Sequence, residues 1–202
     1  MTELNIAVEG APDQAAARKI AQLAGFECCR FHGGHGKGRL DRRISAYNHA
    51  ARIGPWLVLR DLDHDAECGP ELYSRLLPVS AKLMCFRIVV RELEAWMMAD
   101  RKSFSGFFAV AEFRVPRNPD DLDDPKQALL NLIRKSKSRD LRDEMLPRPG
   151  STAQEGPAYT STLSEYVSRS WSPHIAAKSS PSLARTVKAV AVLADRAGVG
   201  RR

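Results

Sequence analysis

The sequence predicts an α/β protein in which a mostly parallel sheet of four or more strands is flanked by helices and followed by a helical extension. Two observations predict this class. Short apolar runs alternate with helical patterns through the first half of the 202 residues, as in parallel sheets whose strands are joined by helices. After Asp100 the pattern changes to helices separated by polar, proline-marked loops. We therefore expect an α/β core over residues 1–110 and a helical extension over residues 111–202, packed together as one compact domain.

Four apolar runs without a helical period are predicted strands, and they cover residues 5–8, 26–31, 56–61 and 82–90. A helical pattern follows each of them, at residues 11–24, 40–53, 70–77 and 91–99. The ends of the first helix fit this prediction because Pro12 lies in its first turn and Gly25 follows its last turn. Residues 32–38, HGGHGKG, are predicted to form a flexible loop. In such sheets ligands bind beyond the carboxyl ends of the strands.

Three further helices are predicted in the second half, at residues 125–135, 161–170 and 182–197. Asp124 and Pro125 suit the N-cap and first position of the first of them, and Ser180-Pro181 marks the start of the last. We expect a short turn around Ile175. The remaining segments are predicted to be a short aromatic turn at residues 103–108 and loops at residues 115–124 and 146–158.

The chain is basic, with 31 Lys and Arg against 24 Asp and Glu and a formal net charge of +7. Much of the excess lies in three segments, at residues 37–43, 134–142 and 201–202. Basic surface attracts phosphate backbones and anionic membranes. An ordinary solvated surface carries a charge of this size too, so charge alone does not decide the function.

Neither a membrane partner nor a signal peptide is expected. No apolar run is long enough to span a bilayer. The N-terminus MTELNIAVEG has no basic flank and no long apolar core. Two of the four cysteines are adjacent and the others are far apart, which does not suggest a disulfide framework. We therefore expect a cytoplasmic protein.

Carboxylate side chains occur at the ends of three of the four predicted strands. Glu9 follows the first strand, Asp61 and Asp63 lie at the end of the third, and Glu92 and Glu94 follow the fourth. The carboxyl ends of parallel strands meet at one edge of a sheet, so we expect these side chains to lie close together. Two unpaired carboxylates about 4 Å apart repel by roughly 4 kcal/mol at an effective dielectric constant near 20. Either one of them is protonated or a cation lies between them, and carboxylate oxygens favour Mg²⁺ or Mn²⁺.

Four motifs in chain order resemble a known family. They are VEG (residues 8–10), DLDHDAEC (61–68), ELEAWMMAD (92–100) and SPSLAR (180–185). The pattern resembles the Toprim domain, the Rossmann-like metal-binding fold of type IA and II topoisomerases, bacterial primases and OLD-type nucleases. It is most similar to a family of small uncharacterised bacterial Toprim-like proteins, and the resemblance spans nearly the whole chain.

The resemblance implies a metal-dependent phosphodiester hydrolase, a nuclease that acts on DNA or RNA with Mg²⁺ or Mn²⁺. By matching motif, Glu9 is a general acid/base or a metal ligand, and Asp61 and Asp63 hold the metal. Glu94 is a further metal ligand. Lys37 is a candidate to meet the negative charge that develops on the phosphate.

The same residues also allow plainer roles. Glu9 can be a helix cap, and the two aspartates can be turn residues or partners of Arg60 and Arg91. Glu92 and Glu94 lie two positions apart on a helix and face different sides. The motif selects Glu94 and leaves Glu92 as surface or as a partner of the helix dipole. Asp65 is expected to lie outside the metal shell and to tolerate substitution best, while the segment 96–98 (Trp-Met-Met) is expected to be core.

The alternative function is a non-catalytic Toprim-fold subunit that binds nucleic acid or a partner ATPase in a bacterial defence or mobile-element system. The chain has no P-loop of the G-x-x-x-x-G-K-[ST] type. Any step driven by ATP would therefore need a partner protein.

Overall fold

The structure is a computed structural model that describes residues 2–34 and 36–200. Its strands are β1 (Glu3–Val8), β2 (Cys28–Gly33), β3 (Trp56–Asp61) and β4 (Met84–Val89). All neighbouring strands are parallel, and the sheet order is β2-β1-β3-β4. The α/β class and the four strands are confirmed: β3 begins and ends where predicted, and the ends of the others shift by one or two residues. His35 of the predicted loop and the basic pair Arg201-Arg202 lie outside the described residues.

Six helices accompany these strands, and they are α1 (Ala11–Leu23), α2 (Lys37–Asp41), α3 (Ile44–Ala50), α4 (Gly69–Leu76), α5 (Leu93–Ala99) and α6 (Arg101–Phe108). The helix predicted over residues 40–53 is therefore two short helices, α2 and α3. The loop predicted over residues 32–38 is shorter than expected, because β2 continues to Gly33 and α2 begins at Lys37.

The aromatic turn predicted at residues 103–108 is wrong, because these residues belong to α6. The Asp100 carboxylate accepts a hydrogen bond from the Ser103 N–H at 3.4 Å and so caps the helix. Phe104 and Phe108 lie four positions apart on one helix face, and both are fully buried. The aromatic residues are thus the buried stripe of a helix.

The C-terminal region contains α7 (Pro125–Ile133), α8 (Arg139–Met145), α9 (Tyr159–Arg169), α10 (Pro173–Ala176) and α11 (Pro181–Arg196). Single 3₁₀ turns lie at Glu112–Arg114 and Pro119–Asp121. The predicted caps are confirmed, since Asp124 accepts from the Gln127 N–H and Ser180 accepts from the Leu183 N–H. Helix α8 is not among the predicted helices, because its sequence RDLRDEM contains few apolar residues.

Helices cover both faces of the sheet. On one face, Leu57 and Leu59 of β3 belong to a buried cluster with apolar residues of α1, α5, α9 and α11. On the other face, Val58 and Phe86 pack with residues of α3 and α4. Trp96 is fully buried in the first cluster, as expected for a core residue. Its backbone oxygen accepts a hydrogen bond from the Trp171 indole N–H at 2.9 Å, which ties the C-terminal helices to α5.

Within residues 2–34 and 36–200, no helix combines the length and the apolar character that a membrane span requires.

Candidate functional site

The sheet order places a topological switch point between β1 and β3. The chain passes from β1 outward to β2 and then returns across β1 to β3, so the connections after β1 and β3 leave in opposite directions. Ligands of open parallel sheets bind in the crevice beyond the strand ends at such a point. Glu9 follows β1 directly and Asp61 ends β3, so these two carboxylates flank the crevice.

Asp61 and Glu9 are joined through the backbone. The Asp61 N–H donates a hydrogen bond to Oε1 of Glu9 at 3.1 Å. The Oδ1 atom of Asp61 is buried and has no hydrogen-bond partner among the described residues. Burial raises the pKa of Asp61 well above its usual range, and the negative charges of Asp13, Glu94 and Glu9 raise it further. A buried carboxylate oxygen without a partner is costly, so this atom marks a place where a cation or a proton is needed.

Glu94 approaches the same crevice from the first turn of α5. Its Oε1 atom accepts a hydrogen bond from the Tyr159 hydroxyl of α9 at 2.8 Å. Burial raises the pKa of Glu94, and the bond from Tyr159 opposes this rise because it favours the ionised carboxylate. The helical C-terminal region therefore contributes directly to the site.

Asp13 is a member of this site that the sequence did not indicate. It is 9% exposed, and its Oδ2 atom accepts a hydrogen bond from the Gly10 N–H at 3.0 Å. Burial first, then the charges of Glu94 and Glu9, raise the pKa of Asp13 to about 7. The signal that was available is its position in VEGAPD, one helical turn after the glutamate of the first motif.

We use the name carboxylate cluster for Glu9, Asp13, Asp61 and Glu94. Burial is the main cause of the raised pKa of Glu9, and the Arg60 guanidinium opposes it. The Nε atom of Arg60 lies 3.6 Å from Oε1 of Glu9. Among the described residues, Arg60 is the only Lys or Arg within 4 Å of a carboxylate of the cluster. The cluster thus concentrates negative charge with little compensation.

Asp63 and Asp65, in contrast, are paired with cations. The Lys37 ammonium lies 2.7 Å from Oδ2 of Asp63 and 3.0 Å from Oδ2 of Asp65. Arg60, whose side chain is only 2% exposed, binds Asp65 and Asp41 and lies 3.6 Å from Asp63. Hydrogen bonding to Arg60 is the main cause of the lowered pKa of Asp65. The alternating aspartates after β3 are therefore tolerated in part because Lys37, from a distant segment, and Arg60, from β3 itself, neutralise the last two.

The structure thus separates the four predicted metal ligands into two groups. Glu9, Asp61 and Glu94 lie in the carboxylate cluster, whereas Asp63 is held by Lys37. Asp63 also adopts a left-handed backbone conformation, with φ of 48°. Lys37 is directed at the two aspartates, and its side chain is 46% exposed.

Glu92 has a structural role besides its position on the surface. It accepts a hydrogen bond from the Lys126 N–H at 2.8 Å and so holds the first turn of α7. Burial and the charge of Glu94 raise the pKa of Glu92 to about 7. The Lys126 side chain pairs with Glu155 in the loop before α9. This contact places one cation at the border of the carboxylate cluster.

A divalent cation suits the chemistry of the cluster. Its donors are all carboxylate oxygens, which Mg²⁺ and Mn²⁺ prefer, and the unpartnered Oδ1 of Asp61 is available as a ligand. In residues 2–34 and 36–200, however, no group of three or more His, Cys, Asp or Glu side chains is already arranged to hold a metal ion. Coordination of a cation would therefore require these carboxylates to rearrange. Asp63 fits less well, because Lys37 already neutralises it.

Comparison of the chain with protein-family models, with curated proteins and with solved structures finds no match. The Toprim resemblance therefore stays a prediction, supported by the four motifs alone.

Proposed function

We propose that this protein is a divalent-metal-dependent phosphodiester hydrolase of the Toprim type, a nuclease that acts on DNA or RNA. The observation that carries the proposal is the buried, unpartnered Oδ1 of Asp61 at the switch point of the sheet. Burial raises the pKa values of Glu9, Asp13 and Glu94, and repulsion by Glu94 and Glu9 raises the pKa of Asp13 further. Groups with such shifts in a crevice are typical of catalytic or metal sites.

In this proposal Asp61 and Glu94 hold Mg²⁺ or Mn²⁺, Glu9 is either a further ligand or the general base, and Asp13 supports them. A bound divalent cation supplies charge stabilisation at a phosphoryl oxygen and a lowered pKa of bound water. Glu9 is suited to take a proton from the attacking water, because its pKa is raised from 4.5 toward the operating pH. Lys37 lies on the exposed side of the site and can meet the charge of the phosphate when it releases Asp63.

The experiment incubates the purified protein with single- and double-stranded DNA and RNA in the presence of Mn²⁺, Mg²⁺ or a chelator. We expect metal-dependent fragments from the unmodified protein and none from Asp61→Ala, because the central ligand is lost. Asp140→Asn is the matched control, since Asp140 is an exposed acid in the first turn of α8. Circular dichroism establishes that each variant is folded. Undiminished cleavage by Asp61→Ala contradicts the proposal.

A second candidate function is a non-catalytic subunit that binds nucleic acid or a partner ATPase in a bacterial defence or mobile-element system. Two observations favour it. Asp63 is already paired with the Lys37 ammonium, and the described carboxylates are not arranged as a metal-binding group. In the same experiment this function gives retarded mobility of the nucleic acid without cleavage under any metal condition.

A further inference from the structure

A groove runs along the free edge of the sheet. The last strand in the sheet order is β4, and α4 and α11 pack beside it. Two adjoining clefts of about 550 Å³ and 530 Å³ open there, and Tyr73, Arg87 and Arg185 line both of them. We call the two clefts together the basic groove. Each has the size of a cleft that holds a ligand group.

The charge of the basic groove has one sign. Arg87, Arg185, Lys188 and Arg196 line it, and neither cleft has an Asp or Glu among its described lining residues. None of these four cations lies within 4 Å of a carboxylate elsewhere in the described chain. Arg87 donates to the Thr186 hydroxyl at 3.4 Å, and Arg196 to a backbone oxygen at 3.3 Å. These neutral partners orient the guanidinium groups and leave their charge free for an anionic ligand.

The spacing of the cations suits an extended anion. Arg185 and Arg196 are eleven residues apart on α11, which corresponds to about 16 Å along a helix. The six residues of β4 extend over about 20 Å beside them. A single phosphate would use only part of this length. The guanidinium group of arginine can donate two parallel hydrogen bonds to phosphate oxygens. Tyr73 is a partly exposed aromatic side chain on which a base can stack.

One end of the basic groove lies next to the carboxylate cluster. The cleft that contains Val90 and Pro70 is at the carboxyl end of β4. Val89, the last residue of that strand, is paired in register with Asp61 of β3. Adjacent strands are separated by about 4.8 Å, so this end of the groove lies one strand away from the strand end that carries Asp61.

We propose that the basic groove binds a single strand of nucleic acid, with phosphates on its four cations and a base against Tyr73, and directs the strand to the carboxylate cluster. The direction toward the cluster rests on the proposed function, whereas the binding itself requires neither metal nor cleavage. An acidic peptide fits less well, because it carries no bases for the aromatic side chain.

The test measures binding of a fluorescently labelled single strand by anisotropy, in chelator, between about 50 and 200 mM salt. The groove variant is Arg185→Gln/Lys188→Gln, and both of its side chains are exposed. The matched control is Lys135→Gln/Lys137→Gln, which removes the same charge from exposed positions in the basic segment 134–142, outside the groove. We expect the groove variant to raise Kd by about tenfold or more. We also expect the slope of log K against log salt to fall by about 1.4, because two phosphate contacts are lost.

Several results would overturn the proposal. They are no binding by the unmodified protein, an equal loss in the control variant, equally tight binding of duplex, or displacement of the strand by polyglutamate of the same charge. Asp61→Asn separates the two proposals. If it binds normally while the unmodified protein cleaves nothing with Mn²⁺, the nuclease function fails and the groove stands. If cleavage occurs and the groove variant cleaves and binds like the control, the groove fails and the nuclease stands.

Discussion

Asp13 provides a test of the carboxylate cluster that needs no metal. Burial and the charges of Glu94 and Glu9 raise its pKa from 3.8 to about 7. Each tenfold change in an ionisation constant corresponds to about 1.4 kcal/mol, so ionised Asp13 costs the folded state about 4 kcal/mol. Because the pKa is higher in the folded state than in the unfolded state, this cost is absent below about pH 4. It grows as the pH rises and is complete above about pH 7.

The substitution Asp13→Asn removes the charge and keeps an oxygen that can accept from Gly10. It also removes a favourable negative charge from the first turn of α1, which is worth about 1 kcal/mol. We therefore expect the free energy of unfolding to rise by about 3 kcal/mol at about pH 8 and by less than about 1 kcal/mol at about pH 4. Urea denaturation in chelator at both pH values measures the difference.

Asp140→Asn is again the control, since this exposed acid has a similar place in the first turn of α8. Its effect should stay within about 1 kcal/mol at both pH values. The reasoning is refuted if Asp13→Asn destabilises the protein equally at both pH values, because the charge of Asp13 would then carry no cost.

Two further substitutions test the packing of the C-terminal region and the hydrogen bond to Glu94. Gly156→Ala should destabilise the protein by about 3 kcal/mol in urea denaturation, because a Cβ atom there would lie 2.3 Å from the Glu144 carbonyl oxygen. Gly38→Ala is its control, with nothing within 4 Å, and equal effects would contradict the packing argument. Tyr159→Phe removes the hydroxyl that donates to Glu94, so the pKa of Glu94 should rise further and the pH profile of cleavage should move to higher pH. An unchanged profile would show that this bond does not tune the site.

The edge on which the site lies could be predicted from the sequence. Alternation of strands and helices implies parallel strands, and parallel strands bring their carboxyl ends together, so the sequence alone predicts Glu9, Asp61 and Glu94 on one edge. The apolar pattern also predicted both ends of β3, because the apolar run of this strand is continuous and buried. It failed for α8, where Leu141 and Met145 are the only large apolar residues in the helix.

The division among the carboxylates could not be predicted, because it depends on which side chains meet in space. The Oδ1 atom of Asp61 is buried, whereas Asp63 is partly exposed and is paired with Lys37, 26 positions earlier in the chain. Asp13 resembles an ordinary capping residue of α1, and only the fold brings it beside Asp61 and Glu94. The expectation that Asp65 tolerates substitution best stays a prediction. Its pairing with the buried Arg60 now gives a reason to expect some loss of stability.

The most direct test of the central claim is titration calorimetry of Mn²⁺ into the unmodified protein and into Asp61→Asn at about pH 7.5. We predict that the unmodified protein binds Mn²⁺ and releases protons, because carboxyl groups with raised pKa values must ionise to become ligands. The proton release appears as a heat that depends on the buffer. Asp61→Asn should bind at least about tenfold more weakly, since a neutral amide replaces the central carboxylate. Equal binding by the two proteins, or no binding by the unmodified one, would contradict the account.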